Sequence, residues 1–203
     1  SVVAVVVAFI AGAVVFKGRE TQQVSQAAQS NSDALIRASS PVFGNPAAKV
    51  TIVEFFDPAC ETCRAFYPLV KTIVNSSFGQ VRLVVRHAPL HQGSDTAVKI
   101  LEAARMQGQY WPAVERALAG QPQWAAHGNA RPELIWDLIT DLGLDMAKAR
   151  ADADSPAVAQ LLAQDIADMK AELARGLDAG AIGFSTSRSF AHLTSDDKPV
   201  ASR

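Results

Sequence analysis

A strand that ends in a Cys-x-x-Cys pair and runs on into a helix confines this chain to few architectures. Val50 to Phe56 reads Val-Thr-Ile-Val-Glu-Phe-Phe, a nearly continuous β-branched and aromatic run of the kind found in strands buried on both faces. Beyond Cys60-Glu61-Thr62-Cys63, the apolar residues Ala65, Phe66, Leu69, Val70, Ile73 and Val74 recur at helical spacing. The cysteines therefore stand where a strand hands over to a helix. Unpaired backbone N–H groups and the positive end of the helix dipole at that junction favour thiolate over thiol. Two intervening residues bring the second sulfur back over the first, one helical turn on. A structural zinc needs about four ligands. With two cysteines in the chain, His87 and His91 would have to complete the set, so redox chemistry of the pair is the better reading and no metal or cofactor is expected.

The stretch Gly44-Asn-Pro-Ala-Ala-Lys-Val-Thr-Ile-Val-Glu-Phe-Phe-Asp-Pro-Ala-Cys60-Glu-Thr-Cys63-Arg-Ala-Phe resembles the opening of the DsbA-like thiol-disulfide oxidoreductases of the thioredoxin superfamily. The likeness runs without a gap over about 30 residues and more loosely through Lys170. It implies an α/β, thioredoxin-like fold with an inserted α-helical domain, Cys60 as nucleophile and Cys63 as the thiol that resolves the mixed disulfide. It also implies that Glu54 is a buried acid relaying protons for Cys63. Read from the residues alone, Glu54 has two orientations. Period-2 alternation turns it to solvent with Val53 and Phe55 inward, whereas a strand buried on both faces keeps it dry with a raised pKa.

Strongly oxidising relatives carry a histidine between the cysteines, where this chain has Glu61 and Thr62. An anion beside the thiolate is expected to raise its pKa and weaken the oxidant, unless Glu61 is a solvated surface residue whose small effect salt screens. The pair then belongs between thioredoxin, near about −270 mV, and the strong periplasmic oxidant, near about −120 mV, closer to the reducing end. Pro68 is expected to bend the helix that follows. His87 and His91 close the next strand, Val81 to Arg86, and are left outside the catalytic set because such histidines more often cap or pack.

Ahead of this core, Val2 to Phe16 is an unbroken run of 15 apolar or small residues, read as a transmembrane signal-anchor over 1–16 whose start is missing. Residues 17–40, rich in Gln, Ser, Ala and Asn, read as a polar tether, and 41–203 as the thioredoxin-like domain. A net charge of −1, from 19 basic and 20 acidic residues without a basic cluster, gives nucleic-acid binding no support. The redox pair favours an oxidising compartment, so the expected location is a bacterial inner membrane with the domain facing the periplasm.

From about 94 to 167 the pattern becomes helical, with segments starting at Val98, Trp111, Leu134, Asp145 and Pro156 and breaks at Gly120, Gly128, Gly143 and four prolines. This block matches the insertion that the resemblance implies. Trp111, Trp124 and Trp136 are candidates to line a substrate groove, with core packing the commoner role.

After Lys170 the chain departs from the family pattern. The expected Thr-Pro of the substrate-presenting loop is replaced by Ser187-Arg188, the nearest counterparts for substrate binding, so the C-terminal part is read as atypical or truncated. The function expected is a membrane-anchored thiol-disulfide oxidoreductase acting on cysteines of extracytoplasmic proteins, recycled by a redox partner protein. The alternative is a catalytically impaired thioredoxin-like module that binds extended clients or a metal ion such as Cu(I).

Overall fold

The computed structural model describes residues 6–7, 9–19, 32–126 and 128–179. The chain divides into two units, Ser1–Ala38 and Ser39–Arg203. In the first unit residues 9–19 are helical (α1) and Ser32–Leu35 makes one further turn (α2). Among the described residues no helix is long and apolar enough to cross a membrane. This corrects the expectation of a transmembrane anchor over 1–16: the described helix continues into Lys17, Gly18 and Arg19, and it does not combine the length and apolarity that a bilayer core requires.

Among the described residues the second unit is built on three strands in the order β1-β3-β2, where β1 is Val42–Gly44, β2 is Val50–Phe56 and β3 is Val81–His87. β2 and β3 are parallel and in register from Val50 opposite Val81 to Phe56 opposite His87. β1 adds antiparallel, with Val42 opposite Val84. Parallel neighbours need a crossover. α3, Glu61–Ser76, supplies it and continues through Pro68. Gly44 joins strand to helix layer: at φ +96° its hypothetical Cβ would lie 2.6 Å from Val74 Cγ1, so a side chain would be strained and would collide with α3.

The sheet is covered on both faces, which explains why β3 is buried from Leu83 through His87, its Arg86 and His87 included. On one face Glu54 and Phe56 of β2 and Leu83 and Val85 of β3 meet Tyr67 of α3 and Tyr110, Trp111 and Val114 of α5, Tyr110–Ala119. On the other, Arg86 reaches α9, Pro156–Asp178, and donates from Nε to Asp165 Oδ1 at 2.8 Å and from a terminal nitrogen to Asp168 Oδ2 at 2.6 Å. His87 extends this polar core: its Nδ1 bonds Asp165 Oδ2 at 2.8 Å and its Nε2 lies 3.0 Å from the Tyr110 hydroxyl.

Between β3 and α9 lie α4 (Ser94–Met106), α5, α6 (Gln121–Trp124), α7 (Ile135–Leu138) and α8 (Met146–Ala153). The apolar repeat at Leu134–Leu142 is not one helix. It folds as a 3₁₀ turn at Pro132–Leu134, the single turn α7, and a second 3₁₀ turn at Thr140–Leu142 closed by Gly143 at φ +72°. Thr140 donates its hydroxyl to the Asp137 carbonyl at 3.1 Å, a local bond that competes with a continuing helix. α9, by contrast, passes Lys170 and ends at Asp178, because the Ala-Glu-Leu-Ala-Arg that follows Lys170 is good helix-forming sequence. The tryptophans are structural. Trp124 is fully buried with its indole N–H on the Ala117 carbonyl at 2.7 Å, Trp136 is buried, and Trp111 bonds the Val42 carbonyl at 3.0 Å.

Candidate active site

The geometry at the end of β2 follows from one residue that caps a helix. Cys60 adopts an extended backbone, φ −73° and ψ 119°, as N-cap of α3, and its sulfur accepts the Cys63 backbone N–H at 3.4 Å. A thiolate here does what Ser or Asp does at other helix starts, taking up N–H groups that the helix leaves unsatisfied. Both cysteines are free thiols, Cys60 buried and Cys63 half-buried.

The two sulfurs divide the acidity between them. The Cys60 thiol is lowered to about 6, first by the hydrogen bond it accepts from the Cys63 side chain; burial opposes this, while the N–H groups of Cys63 and Thr62 and the charge of His91 add to it. Cys63 is pushed up, first because its own proton is committed to Cys60, then by burial and by the negative charges of Cys60 and Glu54; the Asp57 N–H pulls the other way. One sulfur is thus prepared to attack and the other to keep its proton until needed. Glu61 is exposed, the second of its two readings, and Cys60 is held low first by the hydrogen bond from the Cys63 side chain.

Glu54 takes the dry of its two orientations. It shares the face of Phe56, is half-buried beside Tyr67 and Tyr110, and its carboxyl is raised above the usual range by burial and then by the charge of Cys60. Glu54 does not face solvent, because α5 covers that face of the sheet.

Asp57, which begins the turn into Cys60, is 2% exposed and accepts five hydrogen bonds. Its Oδ1 takes the Ala59 N–H at 2.9 Å and the Ser94 hydroxyl at 2.5 Å. Its Oδ2 takes the N–H groups of Leu90 at 2.8 Å and His91 at 3.0 Å, and His91 Nδ1 at 2.7 Å. One carboxylate therefore ties the loop that carries Cys60 to the loop that carries His91. Among the described residues no three His, Cys, Asp or Glu side chains gather as a metal site.

A family model described as thioredoxin matches residues 37–175. The chain belongs to the thioredoxin family. Within it the likeness is to DsbA-like proteins. A thioredoxin-like oxidoreductase from Silicibacter pomeroyi DSS-3 is 33% identical at a TM-score of 0.60, over 70% of this chain and 79% of that one. The thiol-disulfide exchange protein alpha-DsbA2 from Wolbachia pipientis shares the fold at a TM-score of 0.62 and 23% identity, over 81% and 83% of the two chains. A Na(+)/H(+) antiporter NhaA of Herminiimonas arsenicoxydans is 36% identical over 121 residues, which are 59% of this chain and 18% of that protein. The chain thus spans less than a fifth of the length of the curated relatives it matches.

In this thioredoxin-family site the fold brings Cys60, Cys63 and Glu54 together, while Ser187 and Arg188 lie outside the described residues. Reading the sequence missed Asp57 and passed over His91. An Asp at the start of the redox turn signals a turn residue. That it reaches 34 residues along the chain to orient a histidine is visible only in three dimensions. Replacing His91 by alanine should move the half-maximal pH of Cys60 alkylation upward from about 6 while the fold persists, as a pH profile of iodoacetamide labelling will show. An unmoved profile would remove His91 from the site.

Proposed function

We propose that the chain is a thiol-disulfide oxidoreductase acting on protein cysteines, with Cys60 as nucleophile and Cys63 as resolving thiol. The observation that carries this reading is the opposed acidity of two sulfurs in hydrogen-bonding contact at the start of a helix. The Cys60 thiolate attacks one sulfur of a substrate disulfide; a mixed disulfide forms and the other substrate sulfur leaves and takes a proton. Glu54, whose charge acts on Cys63, accepts the Cys63 proton, and the Cys63 thiolate attacks Cys60 Sγ. The Cys60–Cys63 disulfide forms, the second substrate thiol leaves, and two electrons have passed from the pair to the substrate. In reverse the same steps oxidise a substrate dithiol, and a redox partner protein resets the pair. Residues 180–203, Ser187 and Arg188 among them, are proposed to help present substrate. An oxidising, periplasmic setting suits a pair of this kind.

A thiolate near 6 lies between thioredoxin, near about 7, and the strong periplasmic oxidant, near about 3.5, on the thioredoxin side. That supports a moderately reducing potential. The test pairs two substitutions. Cys60→Ser should abolish reduction of insulin disulfides, and Cys63→Ser should accumulate a mixed disulfide at Cys60, visible as an intact-mass adduct. Turnover that survives Cys60→Ser overturns the assignment.

A further inference from the structure

Gln121 follows the glycine between α5 and α6 and is 2% exposed, an unusual place for a primary amide. Its Nε2 donates one proton to the Pro58 carbonyl at 2.8 Å and the other to the Cys60 carbonyl at 3.0 Å. Both acceptors lie in the turn that carries the nucleophile. Its Oε1, also buried, has no hydrogen-bond partner among the described residues, so the two carbonyls alone set which way the amide faces. The same turn is held from the other side by Asp57, whose side chain takes the Ala59 N–H at 2.9 Å and whose carbonyl takes the Cys60 N–H at 3.1 Å. The Cys60 carbonyl also accepts the Arg64 N–H at 3.1 Å, the first bond of α3.

We propose that Gln121 is the positioning residue of the redox turn: its two amide protons clamp the Pro58 and Cys60 carbonyls so that Cys60 Sγ stays over the Cys63 N–H while its bonding changes. The inference rests on the exchange reading of this site. Exchange requires the sulfur to alternate between thiolate and disulfide, and a main chain free to follow it would carry it off the helix N-terminus in one of the two states. A carbonyl released to rotate would also turn its negative end toward the thiolate. Two donor protons on one uncharged nitrogen are what a primary amide supplies, and asparagine is a methylene too short to span the same two acceptors.

The test is Gln121→Met, which keeps the volume and removes both donors. The readouts are the pH profile of Cys60 alkylation and the Cys60–Cys63 potential in glutathione buffer, with far-UV circular dichroism to confirm the fold. The groups facing Cys60 are Cys63 on α3, Glu54 on β2, and Asp57 and His91 on the flanking loops, and none is altered. Loss of buried hydrogen bonds of this type should move the half-maximal pH up by about one unit, making labelling at pH 6 about fivefold slower, with a more reducing potential. A folded variant with lower melting temperature but unchanged profile and potential overturns the clamp and leaves a packing role. Should Gln121→Met not fold, the wild-type side-chain amide decides the matter by NMR. Slow exchange of its protons in both the reduced and the oxidised protein supports the clamp, and fast exchange in either overturns it. Neither readout needs a protein substrate, so failure of insulin reduction by the wild type would overturn the exchange reading and not the clamp.

Discussion

Replacing Asp165 with alanine is expected to cost about 3–5 kcal/mol of folding stability, enough to leave a domain of ordinary stability marginal. Asp165 holds the inner end of β3 to α9 through four donors: Arg86 Nε at 2.8 Å, a terminal Arg86 nitrogen at 2.7 Å, and the His87 N–H and Nδ1 at 2.8 Å each. The side chains of Arg86 and His87 are fully buried, so the substitution strands their donors in a dry interior where water cannot replace the carboxylate. Urea unfolding of the wild type and variant measures the difference. A loss below about 1 kcal/mol would show that the interior is wetter than the geometry implies. The exposed pair Lys71–Glu115 is the control, and Lys71→Ala should change stability by about 1 kcal/mol or less.

The pH dependence of this lock has a definite sign. Burial raises the Asp165 carboxyl, but hydrogen bonds from the His87 side chain and backbone and the charges of His87 and Arg86 outweigh it and hold it below its ordinary 3.8. The contribution is complete above that value and lost as pH falls below it toward the lower folded pKa. Acid should therefore loosen β3 from α9.

Between pH 4 and pH 8, alkylation of Cys60 should speed up about a hundredfold, with half the maximal rate near 6 and a plateau above 7. An ordinary cysteine, titrating near about 8.5, would still be gaining about fivefold per unit at pH 8. Peptide mapping of iodoacetamide-treated, reduced protein should place the label on Cys60, although Cys63 is the more exposed of the two. Acidity decides here and exposure does not. The signs of the two thiols differ: the Cys60 thiolate stabilises the folded reduced protein fully above pH 9.0, and that stabilisation is lost as pH falls through about 6. An inflection at 8 or above would mean that the helix start does not stabilise the thiolate.

How much of this was legible beforehand differs from residue to residue. Cys60 and Cys63 were readable because strand, cap and helix are local: the β-branched run, the two-residue spacing and the apolar repeat all lie within Val50–Val74. For the tryptophans the sequence left a groove role open beside the commoner core role, and burial of Trp124 and Trp136 favours the core. The helix break at Thr140 was not readable, since an apolar repeat does not show that a hydroxyl will satisfy a helix carbonyl. The membrane anchor is the expectation that did not hold, since among the described residues no helix is long and apolar enough to cross a membrane.

By itself, then, the sequence determined the α/β class, the place of the dithiol at the mouth of α3 and the helical block after β3, because each depends on periodicity and spacing between near neighbours. Tertiary structure decided which way Glu54 faces, that Asp57 orients His91, that Gln121 reaches back 61 residues to the Cys60 carbonyl, and that Arg86 and Asp165 lock β3 to α9 across 79. A carboxyl, an imidazole or an amide takes its chemistry from what burial and distant partners do to its protons, and those partners are assembled only when the chain folds.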